Sequence, residues 1–200
     1  MNRFVLATAN PDKAAEIRAI LGSRFELVPR PAALGEVVED GATLLENARL
    51  KGRAVAAASG LPAIADDTGL EVERLGGRPG VRSARYAGED ATYSDNVAKL
   101  LAEMSDVPAE QRGAAFRTVA VAVWPDGREV HAVGEVHGNI STAPRGAAGF
   151  GYDPVFVPDE GDGRTFAEMG PAEKNALSHR GRAFRALATL LEGHHLAGGV

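Results

Sequence analysis

The chain has 200 residues, 44% of them hydrophobic, with 22 Lys and Arg against 27 Asp and Glu and a formal charge of −5. That length supports a single domain with one substantial core, or one core split into two lobes. The absence of cysteine excludes disulfides, thiolate nucleophiles and cysteine-ligated zinc, and the acidic balance argues against coating a nucleic-acid polymer.

No apolar run approaches the roughly 18 to 20 residues of a membrane span. Met1-Asn2-Arg3 leads into a strand-like segment without a signal-peptide pattern, so the expectation is a soluble, cytoplasmic protein with no membrane partner.

Arg3 to Thr8 reads as a buried strand, and Pro11 then opens an Ala-rich helix to Leu21 that Gly22 closes. A second strand spans about Phe25 to Val28. Thr43-Leu44-Leu45-Glu46 carries a Thr-x-x-Glu capping box and predicts a helix to about Ser59, ended by Gly60. Pro62 to Ala65 is a short strand running into Asp66-Asp67-Thr68-Gly69, with Leu70 to Val72 resuming it. Gly76 to Gly88 reads as a long loop, and Thr92 to Met104 has helical spacing. Phe116 to Trp124 and Arg128 to Val136 flank Pro125-Asp126-Gly127 as an antiparallel hairpin, which makes the sheet mixed. After a Gly-rich stretch, Gly146 to Asp153, a strand near Val155 to Val157 leads through a polar loop to a helix at about Arg180 to Leu191.

Thr8-Ala9-Asn10-Pro11-Asp12-Lys13 places a hydroxyl, an amide and an ammonium at a strand-to-helix turn, where backbone N–H groups and the helix dipole favour an anion. The same residues read as an ordinary helix start with Asn10 as N-cap and Lys13 in water. Glu39 and the Asp66-Asp67 pair offer hard oxygen ligands of the kind magnesium takes alongside phosphate. If the strand persists through that pair, its side chains point to opposite faces; if not, Asp-Asp-Thr-Gly is a turn. Lys51 shares a helix face with Asn47 and faces either phosphate or water. Phe150-Gly151-Tyr152-Asp153 offers an aromatic face between glycines for a flat base, or a core aromatic in a turn. Ser178-His179-Arg180, downstream of Lys174, combines an imidazole with a guanidinium, for phosphate or carbonyl recognition or for helix capping. His131, His137, His194 and His195 form no metal-ligand pattern, the last two lying in the terminal tail.

The order of these segments resembles the inosine/xanthosine triphosphate pyrophosphatase family, also described as dITP/XTP pyrophosphatases, over nearly the full length. The resemblance rests on Thr8 to Lys13; Glu39-Asp40-Gly41 with Thr43 and Glu46-Asn47-Ala48; Ala65 to Leu70; Ser83-Ala84-Arg85-Tyr86; Phe150 to Pro154; Lys174; and Ser178 to Gly181. Ala9, Thr68 and Gly52 stand where many members have glycine, serine and alanine.

The resemblance implies an elongated mixed α/β fold, one domain over 1–200 with two lobes around a central cleft, paired as a homodimer. It implies hydrolysis of ITP, dITP and XTP to the nucleoside monophosphate and pyrophosphate, with magnesium as cofactor. Thr8, Ala9, Asn10, Pro11, Asp12 and Lys13 would bind the triphosphate, Glu39 and Asp67 would hold magnesium, and Asp67 would take the proton of the attacking water. Lys51 and Thr68 would contact substrate; the base would meet Phe150, Gly151, Tyr152 and Asp153, with Lys174, His179 and Arg180 completing the site. Two other readings are nucleotide pyrophosphatases resembling septum-inhibition proteins, which start with a serine- and arginine-rich motif instead of Asn10 and Lys13, and a binding module lacking the metal carboxylates.

Overall fold

A computed structural model describes residues 2–197, with side chains as far as Gly193. Seven strands form one mixed sheet: β1 (Arg3–Leu6), β2 (Glu26–Pro29), β3 (Ala63–Val72), β4 (Pro79–Gly80), β5 (Gly113–Val123), β6 (Glu129–Ile140) and β7 (Phe156–Pro158). The order is β2-β1-β3-β5-β6-β7, with β4 paired to β3. β1 runs parallel to β2 and to β3, whereas β4 and β7 are antiparallel to β3 and β6. Five helices accompany it: α1 (Pro11–Leu21), α2 (Leu44–Ser59), α3 (Tyr93–Glu103), α4 (Pro171–Leu177) and α5 (His179–Ala197).

The chain divides into two compact units. The first comprises residues 1–67, 118–134 and those from 180 onward; the second comprises 68–117 and 135–179. β3, β5 and β6 each contribute residues to both.

In the first unit the sheet is buried on both faces, and the period of two along each strand sorts its side chains. Phe4, Leu6, Ile64, Ala120 and Ala122 pack with Ile17 and Leu21 of α1 and with Ala183, Phe184 and Leu187 of α5. Val5, Ala7, Ala63, Ala65, Val121 and Val123 pack instead with Ala48, Val55 and Ala56 of α2. In the second unit, Phe116, Phe156 and Phe166 form an aromatic core with Leu70, Leu100 and Met104. Buried Arg112 donates there to the carbonyls of Ile140 (2.7 Å), Met104 (2.7 Å), Ser141 (3.0 Å) and Val107 (3.1 Å), so that its guanidinium is satisfied by main-chain acceptors.

Most expected elements are present with shifted ends. α2 opens on the full Thr43–Glu46 capping box and closes on Gly60 in the left-handed region. The hairpin between β5 and β6 turns at Pro125–Gly127, with Trp124 N–H bonded to Arg128 O at 2.9 Å. Four expectations change. Asp66-Asp67-Thr68-Gly69 is not a turn: β3 runs unbroken from Ala63 to Val72, paired with β1 at Ala63 and Ile64 and with β4 at Leu70 and Glu71, and pairing on either side of the tetrapeptide outweighs its turn propensity. The Gly76 to Gly88 stretch contains β4 and a 3-10 turn at Ser83–Arg85. Within the expected polar loop, Pro171 at the first helical position starts α4, which carries Lys174. α5 extends to Ala197, so His194 and His195 sit in a helix and not in a tail, although their side chains lie outside the described residues.

Candidate active site

The two adjacent aspartates of β3 are separated by strand alternation. Asp66 shares its parity with Ile64, which packs on the α1 and α5 face. Its Oδ2 accordingly meets Lys13 Nζ of α1 at 3.4 Å and Arg180 Nη2 of α5 at 3.4 Å. Arg180 is held in turn by Glu16 Oε2 of α1, 2.6 Å from its Nη1. Burial opposes ionisation of Asp66, but Lys13, Arg180 and Lys51 outweigh it and hold the carboxyl well below the usual carboxylate range. Burial pulls the Lys13 ammonium down, against the attraction of Asp66.

Asp67 shares its parity with Ala63 and Ala65 and turns to α2. The buried stripe of α2 is apolar along most of its length, yet it includes Asn47 and Lys51, one turn apart. Lys51 Nζ lies 3.1 Å from Asp67 Oδ1 and 2.7 Å from Glu39 Oε2, joining two carboxylates that are distant in sequence. Burial works against the Lys51 charge, but Asp67, Asp66 and Glu39 outweigh it and raise its pKa. Asn47 Nδ2 donates to Asp67 Oδ2 at 3.3 Å, while its Oδ1 accepts from Gly41 N at 2.8 Å and anchors the loop carrying Glu39. A Cβ on Gly41 would stand 2.7 Å from both Asn47 Oδ1 and Glu46 Cβ, so that close approach requires glycine.

At the start of α1 both sequence readings bear on the geometry. Asn10 is the N-cap, its Oδ1 accepting from Asp12 N (2.9 Å) and Lys13 N (3.2 Å), and its own N–H donates to Thr8 Oγ1 at 3.1 Å. The cap thus occupies two of the amides an anion would use, leaving the Lys13 side chain as the main cation of this turn. Ala9, Pro11 and Asp12 are exposed around it.

In the second unit, Asp153 is buried and organises the Gly-rich turn. It accepts from Phe150 N at 2.8 Å and pairs with Lys174 Nζ of α4. The Lys174 ammonium also sits 4.8 Å from the centroid of the Phe150 ring, a cation–π distance. Gly149, with φ of +73°, has no room for a side chain: a Cβ would fall 2.1 Å from Asp153 Oδ2. Gly151 also takes a positive φ, 64°. The Phe150 ring meets Tyr93 with centroids 5.8 Å apart. His179 is buried and stacks on Phe116 at 4.4 Å with planes 17° apart. The buried Tyr152 hydroxyl donates to Ser83 O at 2.9 Å, and burial pushes its pKa up. Thr68 lies half-buried in β3.

Thr8, Lys13, Glu39, Lys51, Asp67 and Arg180 therefore fall in the first unit, and Thr68, Phe150, Gly151, Tyr152, Asp153, Lys174 and His179 in the second. Sequence reasoning left Asn47, Glu16, Tyr93 and Phe116 out of the site. Asn47 had a signal in its shared helix face with Lys51; Glu16 had none, since an acidic residue in a surface helix is unremarkable in sequence.

Residues 4–190 match the family model of the Ham1 family. The chain belongs to the Ham1 family. Among Ham1 relatives, the dITP/XTP pyrophosphatase of Frankia alni is 53% identical over 197 residues, covering 94% of this chain and 96% of that protein. That of Geobacter sulfurreducens is 50% identical over 190 residues, covering 94% and 95%. The solved HAM1 protein of Coxiella burnetii superposes with a TM-score of 0.87 at 38% identity, covering 96% of this chain and 100% of that one. The Staphylococcus aureus Ham1 protein gives 0.85 at 35% identity with the same coverage. Gly52, unusual for the pattern, has a packing cause in this Ham1 chain: a Cβ there would lie 2.8 Å from Val123 Cγ2.

Proposed function

We propose that this protein hydrolyses the deaminated purine nucleoside triphosphates ITP, dITP and XTP to the monophosphate and pyrophosphate. Carrying this reading is the meeting of Glu39 and Asp67 on one buried ammonium, Lys51 Nζ, in a chain about half identical to dITP/XTP pyrophosphatases. Two carboxylates converging there are a hard-oxygen donor set suited to magnesium. Glu39 and Asp67 would hold that ion, whose contribution when bound is to offset charge on the phosphate oxygens.

The residues of the chain supply the rest. Lys13 meets the phosphates electrostatically, helped by the N-terminal end of α1. Asp67, oriented by Asn47 Nδ2 and Lys51 Nζ, orients the attacking water and takes its proton. Attack at the α-phosphorus breaks the α–β bond and releases pyrophosphate. Asp66 has a different part: it holds Lys13 and Arg180 in place from the opposite sheet face.

To the second unit we assign recognition of the base. Phe150 supplies a stacking face, and the Lys174 ammonium beside it can donate to a purine 6-oxo group. A 6-amino group would set donor against donor, a mismatch that supports roughly 10⁴-fold discrimination. Family resemblance also supports a homodimer in the cytoplasm; a monomer in sedimentation would remove the first. No helix of the described residues is long and apolar enough to cross a membrane.

The test is pyrophosphate release from ITP, XTP, GTP, ATP and dTTP, with magnesium and with EDTA, on the wild type and Asp67→Asn. Magnesium-dependent release from ITP and XTP, lost in the variant, is expected. Preference for dTTP, or turnover unaffected by EDTA, would overturn the reading.

A further inference from the structure

The Ser83-Ala84-Arg85-Tyr86 segment stands out in the sequence, yet none of its side chains enters the chemistry above. Its first residue is buried and makes hydrogen bonds with three separate segments of the second unit. Ser83 Oγ accepts from Leu70 N of β3 at 2.8 Å and donates to Gly80 O of β4 at 2.6 Å. Ser83 O accepts from the Tyr152 hydroxyl at 2.9 Å. The segment is itself held to α3: buried Asn96 donates to Ala84 O at 3.0 Å and accepts from Ala87 N at 2.7 Å. α3 also carries Tyr93, whose ring lies against Phe150.

We propose that Ser83 and Tyr152 are positioning residues for base recognition. Together they tie the strand that follows Thr68 to the turn that presents Phe150 and Asp153, so that the stacking ring and the Lys174–Asp153 pair are held at a set distance from β3. The inference rests on the nucleotide reading above.

A turn rich in glycine needs such a tie. Gly149 and Gly151 both adopt positive φ and flank Phe150, so the local backbone offers little resistance to rearrangement. Inside the turn, Phe150 N–H to Asp153 secures one end. Tyr152 immediately precedes Asp153, and burial of its ring in the Phe116 and Phe156 core leaves its hydroxyl on the Ser83 carbonyl. A rigid turn costs less ordering entropy when the base arrives, which appears in KM and in discrimination between bases and not in the chemical step.

The experiment compares Tyr152→Phe with Tyr86→Phe, each of which deletes one tyrosine hydroxyl hydrogen bond in the same unit; Tyr86 donates to Glu103 Oε2 at 2.7 Å. Two readouts are taken on the full chain. The first is hydrogen exchange of the peptide spanning the Phe150 to Asp153 turn, which needs no substrate. The second is the ratio of kcat/KM for ITP over ATP, with KM and kcat separated. Tyr152→Phe should speed exchange in the turn and lower the ratio about five- to tenfold through KM, the size of one lost hydrogen bond. Tyr86→Phe should do neither. Ser83→Ala, which removes the Leu70 and Gly80 bonds, should raise KM for ITP in the same sense. Unchanged exchange and ratio in Tyr152→Phe, or equal effects in both tyrosine variants, would overturn the proposal. A wild type that does not prefer ITP refutes the nucleotide reading and with it the base-recognition role, whereas a wild type that prefers ITP with Tyr152→Phe unaltered refutes the positioning role alone.

Discussion

Replacing Asp66 by Asn should cost this protein about 3–5 kcal/mol of stability near pH 7, the usual result of removing one member of a buried ion network. Asp66 Oδ2 lies 3.4 Å from both Lys13 Nζ and Arg180 Nη2, and its side chain is fully buried. At an effective dielectric of about 20 each contact is worth roughly 5 kcal/mol before desolvation, which offsets much of it. In the variant, Arg180 keeps Glu16 while Lys13 keeps its burial and loses its nearest carboxylate, so the loss falls mostly on Lys13. The pH dependence has a defined sign. The folded pKa of Asp66 is depressed, so its contribution is fully present above the unfolded carboxylate value of about 3.9 and is lost as pH falls toward the folded value. Urea unfolding of wild type and Asp66→Asn, followed from pH 8 to pH 3, should show a constant difference above about pH 5 that narrows by about 1 kcal/mol at pH 3. The m-value should not change. A difference below about 1 kcal/mol at pH 7, or one that does not narrow in acid, would refute an ionised Asp66 holding two cations.

Gly52→Ala adds roughly 1 kcal/mol of helix propensity but drives a methyl to 2.8 Å from Val123 Cγ2, and overpacking of about 1–3 kcal/mol should win. In the Val123→Ala background the same substitution should stabilise, and thermal melts of the double-mutant cycle would expose a common sign as a failure. Lys51→Met leaves Glu39 and Asp67 without their shared ammonium, and pyrophosphate release from ITP should fall by roughly 10² or more; retention of near wild-type rates would show that Lys51 is structural only. Gly149→Ala forces a Cβ into the Asp153 carboxylate at a positive φ, and should raise KM for ITP several-fold while changing kcat little. Steady-state kinetics with ITP check this, and an unchanged KM would contradict the local assignment.

Much of the fold was readable because its signals are local. Asn10, Pro11, Thr43, Glu46 and Gly60 act within one turn of themselves, and each does in the structure what its chemistry prescribes at a helix end. α4 escaped notice since seven residues are too few to show a period, leaving Pro171 as its sole marker. Asp66 to Gly69 carries turn propensity that is local and true of an isolated peptide, but β3 is paired by β1 just before these residues and by β4 just after them, and the ladder prevails.

What the sequence by itself determined was the set of chemical groups; that Asp66 and Asp67 face opposite ways was conditional on a strand, and only the continuous β3 established it. Which aspartate meets which cations was decided only by tertiary structure, through the helices that cover each sheet face: α1 and α5 bring Lys13 and Arg180 to one, and α2 brings Asn47 and Lys51 to the other. The joining of Glu39 to Asp67 through Lys51, and of Tyr152 to Ser83, belongs to the same class. Both span separations over which no local propensity acts, and they exist because burial leaves each polar group with only the partners that packing brings within reach.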